Sequence, residues 1–423
     1  MKWGEIKDPI HGYIELSEAE REALDTGPMQ RLRRIRQLGA AHLTYPGAEH
    51  SRFQHSLGVM HLSGLFGERL RALGLISVEE VSRLRLAGLL HDVGHGPFSH
   101  LFDELLERRG LSHEELGRRI IGETAVADAL RDHGFHPGEI SDLSVGRLGG
   151  GFLDQVVAGQ FSADTLDYLV RDSYYTGVEY GRVDVRRLID SVDVLGDVLS
   201  MDTTALYALE AFLIARYEMF KAVYFHRTVR AASLMLIRAM ELADEALGLT
   251  DFNSLEEYLR LDDEAVMSLL LSLGGGGELE TARRLASMVR GRRLLKCAYE
   301  SFLHEEEAEA LRLRGEERGE LEAELAERAG ADHRFLYVDV STAPSVPYNP
   351  GSRRPEEIRL FTRRADGSRR AVDFSEVSPL ASVLLGYINI LRVYCRAEDL
   401  KRVRREAERF FAEPRSPRNP HRR

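Results

Sequence analysis

The sequence predicts a mainly α protein: a helical bundle core followed by a smaller C-terminal α+β region. Three observations carry that expectation. Apolar residues recur at three- and four-residue spacing through the N-terminal half, the period of a helix with one buried face. After Asp332 the period gives way to short β-branched and aromatic runs bounded by turn residues. The composition, 43% apolar and 30% charged over 423 residues, is that of a globular chain longer than one core usually fills. The expected organisation is a core over 1–240, a helical extension over 241–330, the α+β region over 331–412 and a disordered basic tail over 413–423.

Ser17 before Glu18 and Glu20 is an N-cap with an acidic first turn, and it starts a helix that runs to Leu24. Asp25-Thr26-Gly27-Pro28 ends that helix and starts the next, expected over Pro28–Leu38 with proline in its first turn. Helices are expected at His55–Leu73, Val78–His91 and Ala163–Asp172, then as one long stretch over Ala205–Ala246. Gly274–Gly277 lacks the Gly-Lys-Ser/Thr ending of a phosphate loop and reads as a linker. Glu305–Ala329, dense in Glu and Arg at helical spacing, is expected to be a solvated helix laced by ion pairs. Strands are expected at Phe335–Val340, Ile358–Phe361, Arg370–Phe374 and Ile390–Tyr394, two of them joined through Asp366-Gly367. Leu400–Phe411 closes the chain as a helix.

The charge balance, 57 basic against 68 acidic residues for a net −11, argues against a dedicated nucleic-acid binder and leaves room for local basic pockets. Two cysteines, Cys297 and Cys395, are too few for a disulfide framework and fit a reducing cytosol. The start, MKWGEIKDP, lacks the apolar core of a signal peptide. The longest charge-free apolar stretch, Val377–Leu391, is shorter than the roughly 18 residues a membrane span needs. A cytoplasmic protein is expected.

Seven of the 15 histidines fall at positions 50, 55, 61, 91, 95, 100 and 113. Imidazoles with carboxylates form a ligand set that suits Fe, Mn, Zn, Co or Ni. His91-Asp92 follows the apolar run Leu86–Leu90. Neighbours on a helix diverge by about 100°, so both can face one ion only where the helix ends. Val93-Gly94-His95-Gly96-Pro97 ends it there. An ionised Asp92 is costly to bury without a partner, and a cation is the simplest partner. His42, His61, His133, His136, His304 and His333 read as ordinary core or surface histidines.

Phe53-Gln54-His55-Ser56-Leu57-Gly58, the run from His91 to His100, and Asp164-Thr165-Leu166-Asp167-Tyr168 resemble the H…HD…D signature of the HD-domain metal-dependent phosphohydrolases. Asp8-Pro9-Ile10-His11-Gly12, Gln30-Arg31-Leu32-Arg33, Gln37-Leu38-Gly39, Tyr45-Pro46-Gly47-Ala48 and Arg52-Phe53 are similar to the branch of deoxynucleoside triphosphate triphosphohydrolases. The similarity is dense from about Asp8 to Tyr224 and thinner to Val393-Tyr394-Cys395, and no sterile-alpha-motif domain is expected before the HD core.

The resemblance implies one divalent transition metal on His55, His91, Asp92 and Asp164, with Mg accompanying the nucleotide. It implies water attack on the α-phosphorus of a dNTP, releasing triphosphate and a deoxynucleoside, with Asp92 or Asp164 orienting the water. A bound cation lowers the pKa of a water toward neutral. His100 is the implied proton donor to the 5′-oxygen, with Asp103 behind it, and His95 and His113 bind phosphate oxygens. An imidazole suits that task because its pKa lies near 7. Arg52 clamps phosphates; Gln37 and Asp172 match positions that bind the 3′-hydroxyl; Tyr168 and Tyr224 match aromatics that pack on the sugar.

Thr165 stands where the family commonly carries a basic residue against the triphosphate, and Lys221 is the expected substitute. That departure keeps an alternative open: the same fold acting on a monophosphate, an alarmone or a cyclic dinucleotide. A non-catalytic nucleotide-sensing or single-strand nucleic-acid module is the third reading. The resemblance further implies a guanine-nucleotide activator bound between subunits of a homo-oligomer, dimer or tetramer. Asp25, Gln30 and Arg33 match the guanine-reading residues, and Arg187, Arg227, Arg292 and Lys296 match basic phosphate positions. The plainer alternative makes Asp25 a helix cap and Arg33 a surface residue.

Overall fold

The computed structural model describes residues 2–303, 315–344, 359–380 and 387–412. The tail expected over 413–423, His304, Ile358 and the first part of the helix expected over Glu305–Ala329 lie outside them. The mainly helical architecture with a smaller, sheet-containing C-terminal region is the one observed. Among the described residues no helix is long and apolar enough to cross a membrane.

The chain opens with an antiparallel hairpin, β1 (Lys2–Asp8) and β2 (Gly12–Ser17), which is not among the expected elements. Its turn is pinned by Asp8, whose Oδ1 accepts the backbone N–H of Ile10 and of His11, both at 2.9 Å. Ser17 then caps α1 (Glu18–Leu24) in a capping box with Glu20, as its residues predict. The helix expected over Pro28–Leu38 is shorter: α2 (Gly27–Arg31) tightens into a 3₁₀ turn and ends at Ile35. The backbone of 35–37 is captured instead by the segment before the next helix, through Gln37 N–H to His50 O and Arg52 N–H to Ile35 O.

Two helices, α3 (Arg52–Ala72) and α4 (Val78–Leu90), form the central pair of the core. Leu86, Leu89 and Leu90 are at most 1% exposed, so each contributes about 1.5–3 kcal/mol of burial. Five short helices follow, α5 (His100–Arg108), α6 (His113–Glu123), α7 (Ala125–Asp132), α8 (Pro137–Ser144) and α9 (Phe152–Ala158). Next come α10 (Ala163–Thr176) and α11 (Val185–Asp190).

The stretch expected as one helix over Ala205–Ala246 is broken. After α12 (Leu206–Met219) the backbone widens into a π turn, Phe220–Tyr224, before α13 (Arg227–Leu247). His226 is the cause of the restart, because its Nδ1 accepts the N–H of Thr228 and caps α13. Such widened turns gather at functional sites, and this one carries Tyr224.

A helical extension, α14 (Leu255–Leu259), α15 (Asp263–Ser272) and α16 (Glu278–Arg290), packs on α13. The small C-terminal sheet has the order β5-β6-β9 by chain position only; in space β9 (Tyr387–Cys395) lies between β5 (Lys296–Phe302) and β6 (Tyr337–Pro344). Thus a strand from the 241–330 segment joins this sheet. Likewise β7 (Leu360–Arg363) and β8 (Arg369–Val372), turned at Asp366-Gly367, extend the hairpin β3 (Val192–Leu195) and β4 (Val198–Asp202).

The Glu-rich helix is not solvated all round. Within α17 (Gly315–Ala329), Leu321, Leu325 and Ala326 are buried in one cluster with Val403 and Ala407 of α18 (Leu400–Ala412). Glu322 is buried as well, paired with Arg238 of α13 at 2.8 Å.

His61 of α3 shows how this interior treats an unpaired imidazole. Burial, then the positive neighbours His11 and Arg85, push its pKa down to about 4 against the pull of Asp167 and Asp8. The unfolded imidazole titrates near 6.5, so this contribution to stability is full above that pH and is lost as pH falls toward 4. The loss reaches about 3 kcal/mol. Thermal unfolding measured between pH 6.5 and 4 should therefore fall less steeply for His61→Phe than for the wild type; parallel curves would contradict the assignment.

Candidate metal centre and active site

Three helix ends deliver the four expected ligands. His55 lies in the first turn of α3, His91 and Asp92 follow the last residue of α4, and Asp164 lies in the first turn of α10. His55 Nε2 is 3.0 Å from Asp164 Oδ1 and 3.7 Å from Asp92 Oδ2. His91 Nε2 is 3.2 Å from Asp92 Oδ1 and 3.8 Å from Asp164 Oδ1. Two donors on one ion at about 2.0–2.2 Å stand roughly 3.0–3.6 Å apart, so this spacing suits a shared cation.

The electrostatics point the same way. His91 Nδ1 is 2.8 Å from the carbonyl of Gly88, to which it donates, so the Nε2 lone pair faces the two carboxylates. That nitrogen is buried and makes no hydrogen bond. Burial opposes charge on His55, yet its hydrogen bonds to Asp164 and Asp167 and the charge of Asp92 outweigh it, pushing its pKa up to about 10. Burial likewise opposes charge on Asp92, but Arg52, His91 and His95 hold it well below the usual carboxylate range. The surround calls for positive charge at one point, and a divalent cation fits the donor set.

Arg52 is 2% exposed and joins this centre to the next group of residues. Its Nη1 lies 2.5 Å from Asp92 Oδ2 and its Nε donates to Ser99 Oγ at 2.7 Å, while Nη2 is buried with no hydrogen bond. Phe98 and Ser99 both adopt left-handed backbone, φ 58° and 60°, immediately before His100 starts α5. Such residues cost of order 1–3 kcal/mol each unless their surroundings fix them. Here Phe98 N–H donates to Asp263 Oδ1 at 2.6 Å and Ser99 Oγ donates to the carbonyl of Arg36 at 2.6 Å.

The strained turn leaves His100 exposed, with its Nδ1 3.0 Å from Asp103 Oδ2. His113 Nδ1 is 3.1 Å from the same oxygen, and its ring stacks on His95 with centroids 3.8 Å apart and planes 16° apart. His95, Asp103 and His113 also form a trio of metal-ligand type. An ion must lie near the plane of each imidazole that binds it, and two nearly parallel planes 3.8 Å apart share no such point. The rings of His95 and His113 therefore cannot share one ion. Burial and the charges of Arg52 and His113 keep His95 neutral, whereas Asp103 overcomes burial to raise His113.

Beside this group opens a cavity of about 370 Å³, lined among others by Gln37, His100, Tyr168, Asp172, Arg216 and Tyr224. Tyr224 Oη donates to Asp172 Oδ2 at 2.8 Å, and burial with Asp172 holds that hydroxyl protonated. Gln37 Oε1 is buried without a hydrogen bond. Lys221 does not line the cavity; it is exposed, with Nζ 5.0 Å from the centre of the Tyr217 ring. The cations there are Arg230 and Arg216, the latter 6% exposed with its Nη1 donating to Tyr168 Oη at 2.5 Å. Thr165 is buried, and its backbone and hydroxyl bond Ser162.

Several residues escaped the sequence reading. Arg216 was hidden in an apolar helical run. His50 was counted among the clustered histidines without a role, and it holds Asp172 Oδ1 at 2.7 Å. His11 and Asp167 lie inside quoted motifs, and only the fold brings them to 2.6 Å. Of the expected activator residues, Gln30 and Arg33 meet, Nε of Arg33 donating to Gln30 Oε1 at 2.8 Å, with Asp25 nearby on Arg21. Arg33 also stacks 3.5 Å over Phe53. Arg227, Arg292 and Lys296 line a separate cavity of about 310 Å³, and Arg187 stands apart, bonded to the carbonyl of Thr204.

Comparison with known proteins identifies the family. Residues 52–149 match the HD domain and residues 183–420 match the HD associated region. The chain is 34% identical to the uncharacterized protein YwfO of Bacillus subtilis over 84% of this chain and 83% of that one. It is 32% identical to the deoxynucleoside triphosphate triphosphohydrolase SAMHD1 homolog of Dictyostelium discoideum, over 69% of this chain and 59% of that one. Its fold is similar to that of a phosphohydrolase from Bacteroides thetaiotaomicron, at a TM-score of 0.74 and 27% identity, covering 93% of this chain and 99% of that one. The chain belongs to the HD-domain metal-dependent phosphohydrolases, in the branch that includes the deoxynucleoside triphosphate triphosphohydrolases.

Proposed function

We propose that this phosphohydrolase cleaves a dNTP to a deoxynucleoside and triphosphate. The observation that carries the reading is the adjacency of three parts: the His55/His91/Asp92/Asp164 centre, the His95/His100/His113 group and the cavity holding Tyr168, Asp172 and Tyr224. When bound, a divalent transition cation supplies Lewis acidity, withdrawing charge from the phosphate and acidifying a water. The chain's own groups do the rest. Asp92 or Asp164 orients the water, whose oxygen attacks the α-phosphorus. The bond from that phosphorus to O5′ breaks, and the departing oxygen takes a proton from His100, whose tautomer Asp103 holds. Nη2 of Arg52 is free to meet a phosphate oxygen, and Arg216 supplies the cation that Thr165 does not. Asp172, oriented by His50 and Tyr224, accepts from the 3′-hydroxyl.

A guanine nucleotide as activator and assembly of two or four chains are part of the same proposal. They are supported by the Gln30–Arg33 pairing and by the basic cavity of Arg227, Arg292 and Lys296. A second reading, another nucleotide or phosphoester as substrate, is favoured only by the uncharged, internally bonded Thr165.

Purified protein incubated with Mn or Mg and a dNTP, with and without GTP, should yield tripolyphosphate and deoxynucleoside, faster with GTP. Pyrophosphate or orthophosphate as the first product would sink the reading, and fastest turnover of a nucleotide other than a dNTP would move it to the second. His100→Gln should lower turnover by about 10²–10⁴-fold, the usual worth of a positioned acid, while metal affinity stays at the wild-type value. Turnover within a few-fold of wild type would remove His100 from the proton-donor role.

A further inference from the structure

We propose that Asp167 is the positioning residue that makes His55 a metal ligand, and that through it the N-terminal hairpin becomes part of the metal centre. The inference rests on the reading that His55, His91, Asp92 and Asp164 hold a divalent cation.

Asp167 lies one helical turn beyond Asp164 in α10 and is 0% exposed. Its carboxylate meets four donors. Oδ2 is 2.8 Å from His55 Nδ1 and 2.7 Å from Arg171 Nε; Oδ1 is 2.6 Å from His11 Nε2 and 3.0 Å from Arg171 Nη2. Arg171 is itself buried and passes the contact on to Asp8, at 2.9 Å from Nη1 to Oδ2. Asp8 in turn orders the hairpin turn that carries His11. An ionised carboxylate this deep is costly unless paired and fully hydrogen-bonded, and this one is both.

The consequence for His55 follows from imidazole chemistry. A neutral imidazole has one N–H and one lone pair. An acceptor at Nδ1 draws the proton there and leaves the Nε2 lone pair directed at Asp92 and Asp164. A carboxylate acceptor also makes the ring a stronger donor to a metal than a carbonyl does. His91, whose Nδ1 faces only the carbonyl of Gly88, lacks that reinforcement, so the two histidine ligands are unequal.

Room for the carboxylate comes from Gly58, one turn beyond His55 on α3. A Cβ at Gly58 would stand 1.9 Å from Asp167 Oδ1 and 2.5 Å from Arg171 Nη2. Glycine there lets α10 press its carboxylate against α3. His11 completes the arrangement from the opposite side, its ring 5.2 Å from that of His61. No step proposed for the reaction uses Asp167, Arg171, His11 or Gly58, and they converge on one nitrogen of one ligand.

The test measures Mn(II) affinity and the visible spectrum of bound Co(II) on the full chain, stripped of metal, for the wild type, Asp167→Asn and His11→Ala. Asp167→Asn should bind Mn(II) about 10–100-fold more weakly and shift the Co(II) bands, while circular dichroism of the metal-free chain stays that of the wild type. His11→Ala, which leaves the contact between Asp167 and His55 in place, should show a smaller, severalfold loss. A folded Asp167→Asn with wild-type affinity and spectrum overturns the inference. If that variant does not fold, His11→Ala decides: an unchanged affinity overturns it. A wild type that binds neither metal overturns the metal reading, and with it this inference, and is distinguishable from either variant result.

Discussion

The arrangement depends on one constraint: two imidazole nitrogens within 3.0–3.8 Å of two carboxylates, His55 and Asp92 buried and His91 and Asp164 partly so, must share positive charge. Every neighbouring feature answers it. Arg52 neutralises Asp92 from one side, Asp167 orients His55 from the other, and the His91 lone pair is turned inward by the Gly88 carbonyl. The helix ends explain how such unlike donors meet. Residues at the start of α3 and α10 and just past the end of α4 can point along their axes toward one point, which residues in mid-helix cannot.

The same segments carry the neighbouring histidines, which ties the candidate metal centre to the His95/His100/His113 group. The chain leaves α4 at His91-Asp92, supplies His95 four residues later, and then passes through the two left-handed residues that present His100. That turn is fixed from three directions, by Arg52 from α3, by the carbonyl of Arg36 and by Asp263 from the helical extension. The extension thus buttresses the active site although it contributes no residue to the proposed chemistry. The C-terminal sheet is coupled in a similar way, because Arg230, which lines the cavity beside His100 and Tyr168, is held by Asp339 of β6 at 2.7 Å and 3.1 Å.

Much of this was legible in the chain. Capping residues placed α1 to the residue, and the apolar run followed by His91-Asp92 and two glycines announced a helix end with ligands on it. The ordered histidine and aspartate motifs named the four residues that the helix ends bring together, His55, His91, Asp92 and Asp164, and the His100–Asp103 pair. What stayed hidden depends on long-range pairing. The N-terminal hairpin and the β3–β4 hairpin are short strands whose patterns are no stronger than those of loops. The break at Phe220–Tyr224 is invisible to apolar periodicity because the widened turn spans only five residues, mostly apolar like the helices on either side, and α17 concealed a buried face beneath its charges. Arg216 and Lys221 are five positions apart, roughly 140° round a helix, so they face different ways, and periodicity alone does not say which of them meets the cavity.

The measurement that bears most directly on the central claim is the metal content of the protein purified without chelator, by elemental analysis, set beside that of Asp164→Ala. The account predicts about one equivalent of a divalent transition metal per wild-type chain and almost none in the variant, with both chains folded. A wild type free of transition metal after growth and purification in its presence, or a variant that retains a full equivalent, would contradict it.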